Sequence, residues 1–395
     1  MSSSTSTRQI YLDNSATTPL DPRVVERMER ARRDLFENAG SVHRGGQRSR
    51  VALEDARETI AAALGAEPKE IVLTSGGTEA NNMALKGWAL AIRKERGVWP
   101  AIVTDGGEHH AVLHPAEFLA ELGAPLHIVP LDREGRVTPQ NLERTLHEAI
   151  GSDLPLLLSI MHANNETGTI NPIADLSAIV RERSGEMHTD AVQSFGKIAC
   201  RPTDLGVAMM TISAHKIHGP KGIGALYVRK DLTLEPLLHG GAQERGRRAG
   251  TEPVELAVGF AEAARIAVEE LEENGARIGA LRRRLEEKLR TIDDLIIVTP
   301  SEGSLPTIVD VTFADAGRLD GEGLIVGMDI RGVAVSNGSA CTSGSMQPSH
   351  VLLALGLSPA QAAAAVRFSL SRFTTDDDVD RAAAALADVV GKMRR

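Results

Sequence analysis

The sequence predicts an α/β fold: a large, mostly parallel sheet covered by helices, followed by a smaller α+β unit. Three observations carry that expectation. Short, continuously apolar runs recur at 71–74, 101–104, 126–129, 156–161, 187–189, 208–213 and 225–228, each closed by a Gly or polar cluster and followed by a helical pattern. Strands apolar on both faces belong in a sheet buried on both sides, and their alternation with helices makes the sheet parallel. A long helical pattern from Glu252 towards Leu289 then leads into a second set of short runs at 295–298, 307–313, 333–335 and 366–370. Finally, 395 residues are enough for two domains at about 100 to 200 residues each.

In chain order, residues 1–7 form a Ser/Thr tract with neither the basic start nor the apolar run of a secretory signal, and a frayed tail is expected. A charged helix follows at 21–34, a glycine-containing loop at 37–46 and a second helix at 47–64. The strand-helix alternation occupies 71–228. In the long pattern after Glu252, Leu256, Phe260, Ala264, Ile266 and Leu271 recur at helical spacing, with Gly275 and Gly279 as its weak points. The alanine-rich stretches 362–365 and 382–385 suit helices. The expected division is an N-terminal segment 1–20 packing with the small domain, a large cofactor-binding domain 21–255, and a small α+β domain 256–395. No internal repeat is visible.

Composition excludes several classes. Forty-four basic against 53 acidic residues give a net charge of minus 9, so no basic field is available to hold a nucleic-acid backbone. No apolar run approaches the roughly 18 residues of a membrane span. Two cysteines, Cys200 and Cys341, make neither a disulfide framework nor a preformed metal site, and a reducing, cytoplasmic setting is expected.

Chemistry collects where the apolar runs end, which is where α/β sheets bind ligands. After the run 71–74 comes Ser75-Gly76-Gly77-Thr78-Glu79, where two glycines between strand and helix let backbone N–H groups approach a phosphate; an ordinary turn is the competing reading. Asp190 and Lys216 each follow an apolar run and lie 26 residues apart, one strand-helix-strand step. A lysine for a Schiff base, an acid for a pyridine nitrogen and a phosphate cradle are the set that pyridoxal phosphate requires. The alternative for Lys216 is a solvated loop lysine, with Lys221 as its rival. His109 follows the run 101–104 and is suited to lie on a flat ring or move a proton, although a plain histidine is commoner. Asn165 and Gln193 are polar groups at other strand ends, or turn residues.

Cys341 sits in the Gly/Ser-rich stretch 336–348, where a reactive thiol is favoured over an inert one. Cys200, beside Ile198 and Ala199, reads as structural. Arg367 interrupts an apolar run, and its planar guanidinium suits a substrate carboxylate; a solvent-facing edge arginine is the alternative. The loop 240–251, with three arginines and Thr251, is either a further phosphate-binding element from a partner subunit or a basic surface loop.

With these residues in place, the chain resembles the cysteine desulfurases of the class V aminotransferase branch, pyridoxal-phosphate fold type I. The matching motifs run in family order: Tyr11-Leu12-Asp13-Asn14-Ser15-Ala16-Thr17-Thr18-Pro19, the turn 74–79, Asn164-Asn165-Glu166-Thr167-Gly168, Asp190-Ala191-Val192-Gln193-Ser194, the lysine segment 213–224, the segment 245–251, and the Cys341 stretch followed by Arg367. The resemblance implies that Lys216 holds pyridoxal 5'-phosphate as a Schiff base, Asp190 pairs with its ring nitrogen and His109 stacks on the ring. It implies that Gly77, Thr78, Ser213 and His215 hold the phosphate side, with Thr251 supplied by the other subunit of a homodimer. Asn165 and Gln193 contact the ring hydroxyl region, while Arg367, helped by Asn38, grips the carboxylate of L-cysteine. Cys341 takes the sulfur as a persulfide, with His109 as its activating base, and passes it to acceptor proteins such as an iron-sulfur scaffold or a thiolation protein. Its stretch resembles the long-loop, iron-sulfur-assembly group, in which this cysteine can also ligate a nascent cluster transiently, making Cys341 the one expected metal contact. Residues 37–41 depart from the usual family reading, and the chain ends at Arg395 without the longer tail that relatives dock on a scaffold. A selenocysteine lyase or a class V aminotransferase is the alternative.

Overall fold

A computed structural model describes residues 9–149, 154–338 and 347–395. Its strands, in chain order, are β1 (Ile10–Tyr11), β2 (Ile71–Thr74), β3 (Ala101–Asp105), β4 (Leu126–Val129), β5 (Leu156–Ser159), β6 (Glu186–Asp190), β7 (Met209–Ser213), β8 (Gly224–Val228), β9 (Leu295–Ile297), β10 (Ile308–Phe313), β11 (Val333–Ala334) and β12 (Val366–Ser369).

Seven of them form one sheet in the order β2-β8-β7-β6-β5-β3-β4. The neighbours from β7 to β4 are parallel, and β8 runs antiparallel to both β7 and β2. The reversal has a simple cause. Residues 214–223 between β7 and β8 hold a single short 3-10 turn, Ala214–Lys216, and a parallel return needs a crossover of a dozen residues or more. The mostly parallel sheet expected from the apolar runs is present, and β2, β3, β5, β7 and β8 are buried at every residue.

Helices close both faces. One core joins Ile60, Leu64, Leu73, Val103, Leu158, Met210 and Phe260, and a second joins Met83, Trp88, Ile102, Leu119, Leu157 and Leu226. Since neighbours in β2, β3, β5 and β7 alternate between these cores, each strand is wedged between two helical layers. The helix Pro22–Asp34 is capped by Asp21, whose Oδ1 accepts from the Arg23 amide at 2.8 Å.

The second unit is an antiparallel sheet β12-β10-β9, with Ile278, Leu281, Leu285, Phe313, Phe368 and Leu386 in its core. Two expectations change here. The helical pattern after Glu252 is two helices, Val254–Glu269 and Leu271–Leu289, broken at Glu270. The break is not at Gly275 or Gly279, which lie inside the second helix, where a glycine costs only about 1 kcal/mol against the gain from packing. Moreover, the first of these helices buries Ala257, Phe260, Ala263 and Ala264 in the large core, so the handover between cores falls at Glu270 rather than at residue 255.

The described N-terminal residues belong to both units. β1 pairs in parallel with β11, and Ile10 and Leu12 enter the small core. Then Asn14 Nδ2 donates to the Ser369 carbonyl at 2.7 Å, and the Thr18 amide donates to the His215 carbonyl at 2.9 Å.

Candidate active site

The carboxyl ends of β2, β3, β5, β6 and β7 open into a cavity of about 530 Å³, closed on its other side by the N-terminal strap and by residues near β12. That volume suits a small organic molecule.

Lys216 ends the 3-10 turn that follows β7. Its Nζ donates to the Ser15 carbonyl and, at 2.8 Å, to the Ala16 carbonyl. Burial pushes its amine down to about 8; the Arg367 guanidinium adds to the effect, while Asp13 and Asp190 oppose it. Lys221, its rival in the sequence, is exposed and does not line the cavity.

Asp190 is the last residue of β6, buried, with both carboxylate oxygens committed. Oδ1 accepts from the Val192 amide at 2.9 Å, and Oδ2 accepts from Asn81 Nδ2 at 2.6 Å. Asn81 stands on the short helix Gly77–Asn82 and escaped sequence reasoning; its only signal is its position one turn after the Gly76-Gly77 turn. That turn approaches the sheet closely, since a Cβ at Gly77 would meet Val192 Cγ2 at 2.9 Å. Thr78 lines the cavity beside it. Ser213 Oγ, at the end of β7, is buried with no hydrogen-bond partner among the described residues, which leaves one hydroxyl for a ligand.

His109 caps the helix His110–Glu121, its Nδ1 accepting from the Ala111 amide at 3.0 Å. In that orientation Nε2 carries the proton of the neutral ring, so the cavity is offered a donor. The expected base role at His109 requires Nδ1 to leave its cap. Burial lowers its basicity, with Asp190 opposing. His215 also lines the cavity, its Nδ1 3.2 Å from Thr17 Oγ1, and burial with the charge of Lys216 brings it down to about 4.

Gln193 is held at both ends. Its Oε1 accepts from Lys197 Nζ at 2.8 Å, which fixes the amide so that Nε2 donates to the Ser15 carbonyl at 2.9 Å. Burial, then the charges of Lys216 and Arg367, lower Lys197 to about 7.

Arg367 lies on β12 and is buried at 3% exposure, so the solvent-facing edge reading fails. Its guanidinium donates to the Asn165 carbonyl and to Asp13 Oδ1, each at 2.9 Å, while Nε is buried without a partner among the described residues. Asn165 thus reaches the cavity on a backbone that Arg367 holds.

Two expected residues stand elsewhere in this single chain. Asn38 is exposed, its Oδ1 turned back to the Gly40 amide at 2.7 Å. Thr251 lines a separate small cleft with Thr74 and Ser75. The arginines of its loop are already engaged: Arg248 pairs with Glu79 at 2.8 Å, and Arg247 donates to the Lys69 carbonyl at 2.8 Å. Neighbouring Glu244 makes a paired contact with Arg57 at 2.6 and 2.7 Å. Cys341 lies outside the described residues. Cys200 is buried, with its thiol pushed up to about 12 by burial, as a structural cysteine should be.

Behind His109, Asp105 and Glu108 are fully buried together, and burial raises both carboxyls. Glu108 accepts from the Met161 amide, which draws the chain after β5 towards His109. Among the described residues no group of three or more His, Cys, Asp or Glu could hold a metal ion, and no helix is long and apolar enough to cross a membrane.

The cavity fits pyridoxal 5'-phosphate on donor chemistry: an amine of lowered basicity, a buried carboxylate, an unpartnered hydroxyl and a close glycine turn.

Comparison with known proteins gives a consistent result. The family described as aminotransferase class-V matches residues 10–382. A protein named cysteine desulfurase IscS from Dictyoglomus turgidum is 43% identical over 388 residues, covering 98% of this chain and 96% of its own length. A cysteine desulfurase from Bradyrhizobium diazoefficiens is 44% identical over 386 residues, with 98% and 95% covered. Among solved structures, one titled NifS-like protein superposes with a TM-score of 0.89 at 37% identity, covering 97% of this chain and all of that one. Another, titled SspA in complex with cysteine, has a TM-score of 0.79 at 36% identity, with 92% and 99% covered.

Proposed function

The chain belongs to the aminotransferase class-V family and is a cysteine desulfurase, and from that premise we propose how its residues divide the work. The observation that carries the reading is the meeting of Lys216, Asp190, His109 and Arg367 in one cavity.

Pyridoxal 5'-phosphate, when bound, supplies an electron sink that lets the α-C–H and C–S bonds of an amino acid break. Lys216 is the residue that holds it covalently, and Asp190, fixed by Asn81 and Val192, is the acid for its ring nitrogen. Gly77, Thr78, Ser213 and His215 take its phosphate side, Asn165 and Gln193 its hydroxyl side, and Thr251 acts from the second subunit of a homodimer.

Arg367 binds the carboxylate of L-cysteine. Two of its N–H groups are already spent on Asp13 and Asn165, so its plane is set before substrate arrives. Lys216, once free, takes the α-proton. An amine near 8 keeps a useful unprotonated fraction at neutral pH, which an ordinary lysine does not. His109 stacks on the ring and offers Nε2–H. Cys341 Sγ then bonds to the substrate sulfur as the C–S bond breaks. L-cysteine and the Cys341 thiol become L-alanine and a Cys341 persulfide, with no outside oxidant. The persulfide passes to an acceptor protein, an iron-sulfur scaffold or a thiolation protein. Free-thiol chemistry of this kind belongs in the cytoplasm.

The test is direct. Purified holoenzyme given L-cysteine should form alanine and a protein-bound persulfide, and Cys341→Ser should lose both. Undiminished alanine in Cys341→Ser would sink the role of that thiol.

A further inference from the structure

Glu166 is a buried acid of the cavity wall to which the roles above give no task. Its Oε2 accepts the hydroxyl of Ser349, which also caps the helix His350–Ala354 by accepting from the Leu352 amide at 3.2 Å. Gly338, at φ +84°, approaches the same oxygen. A Cβ there would come 2.5 Å from Glu166 Oε2 and 2.8 Å from Cδ, so the Gly338 backbone rests on the same carboxyl group. Two residues earlier, Ser336 is paired through its backbone with Arg367, whose amide donates to the Ser336 carbonyl at 2.6 Å. Beside Glu166, the Asn165 carbonyl accepts from the Arg367 guanidinium. In the sequence, Gly338 stands three residues before Cys341 and Ser349 eight residues after it.

We propose that Glu166 is a positioning residue whose carboxyl group clamps the chain on both sides of Cys341 to the wall that carries Arg367, and so governs sulfur transfer rather than the earlier handling of the amino acid. The inference rests on the desulfurase reading with Cys341 as the sulfur acceptor. Its physical basis is the cost of closing a chain. A segment whose two ends are fixed on one group presents its thiol at a higher effective concentration than a segment held at one end. Ser349 is the natural place to cut, because its hydroxyl can be removed while Glu166 and Gly338 stay.

Holoenzymes of wild type, Glu166→Gln, Ser349→Ala and Ser349→Thr would be mixed with L-cysteine. The change in the cofactor's visible band and the mass of persulfide on the chain would be followed together. The alkylation rate of Cys341 by iodoacetamide would be measured without substrate. For Ser349→Ala the expected result is an unaltered band change and persulfide formation slowed by roughly tenfold, about the loss of one hydrogen bond, and for Glu166→Gln, whose amide oxygen still accepts from Ser349, an unaltered band change and a smaller slowing. Alkylation should be faster in both, and Ser349→Thr, which keeps the hydroxyl, should restore the wild-type values. Wild-type persulfide and alkylation rates in Ser349→Ala would overturn the clamp. So would a band change that falls in step with persulfide. Undiminished alanine in Cys341→Ser would instead overturn the role of Cys341 as sulfur acceptor, on which the clamp rests, whatever the clamp variants do.

Discussion

Asp190 and Lys216 reach the cavity from adjacent parallel strands of one sheet, and the turns that follow such strands bond some of their own side chains. The Asp190 carboxylate is bonded by Val192, two residues on, and His109 by Ala111, two residues on. Arg367 comes from the edge of another sheet and depends on distant partners, Asn165 at a separation of 202 residues and Asp13 at 354. Glu166 and Ser349 meet across 183 residues. The backbone of the floor is therefore a local product of strand ends, although the Lys216 amine is held by the distant Ser15 and Ala16 carbonyls, while the wall exists only once remote segments have docked. A change in the floor should cost chemistry and spare stability. A change in the wall should cost both.

The largest effect is expected at the floor. Lys216→Ala should lower alanine formation by about 1,000-fold or more, because one amine serves as both cofactor anchor and base. Its thermal midpoint at pH 7 should hold or rise, since a buried amine is removed. Should the midpoint fall by several degrees, the floor would be as dependent on Lys216 as the wall is on Arg367, and the contrast would break.

Arg367→Lys comes next. A lysine cannot satisfy Asp13, Asn165 and a substrate carboxylate in one plane, and charge-assisted hydrogen bonds are worth about 1.5–3 kcal/mol. Steady-state kinetics should give a kcat/KM for L-cysteine roughly 10- to 100-fold lower, mostly through KM, with a lower melting temperature of the apoprotein. An unchanged melting temperature would show the wall to be as self-contained as the floor.

A smaller effect lies beneath the floor, where the His188 ring sits 2.8 Å from Ser159 Oγ and 3.0 Å from Thr211 Oγ1. Burial takes His188 down to about 3 and His162 to about 4. Below an ordinary value of about 6.5 the unfolded chain binds protons that the folded one refuses, so stability rises with pH up to about 6.5 and falls as pH drops towards 4. Urea titrations at pH 5 and 7 should differ accordingly, and His188→Gln should reduce that difference.

The smallest expected effect is alkaline. Lys216 is lowered to about 8 and Lys197 to about 7, while an unfolded lysine titrates near 10.4. Between those values only the unfolded chain carries the proton, so both residues make the apoprotein more stable as pH rises from 8 to 10. Comparing wild type with Lys216→Met in urea across that range should show a shallower rise in the variant. A steeper rise would contradict the lowered amine.

The floor was legible because buried parallel strands leave continuous apolar runs, and whatever polar residue ends such a run faces the ligand edge. Gly77, His109, Asp190 and Lys216 all follow from that rule. Arg367 was legible as an anomaly, a charge inside an apolar run, but whether it faced solvent or substrate was not. Asn81, Lys197 and the Asp105–Glu108 pair carried no pattern, since a helical amide or a lone acid looks the same wherever it points. Glu166 was in view inside the motif 164–168, yet its task depends on Ser349, and no spacing rule links the two. The pattern after Glu252 read as one helix with weak points at Gly275 and Gly279, and the break at Glu270 left no mark because packing against two different cores, not local propensity, ends the first helix.

The strap formed by residues 10–18 has a consequence for how the protein is made. Asn14 and Ser15 bond to Ser369, 355 and 354 residues away, so this segment waits after synthesis for a strand made that much later. At about 5–20 residues per second the wait is roughly 20–70 s on the ribosome. During it the Lys216 amine lacks the fixed Ser15 and Ala16 carbonyls that hold it. A nascent chain halted before residue 366 should therefore leave residues 10–18 open to protease, whereas the released protein should protect them.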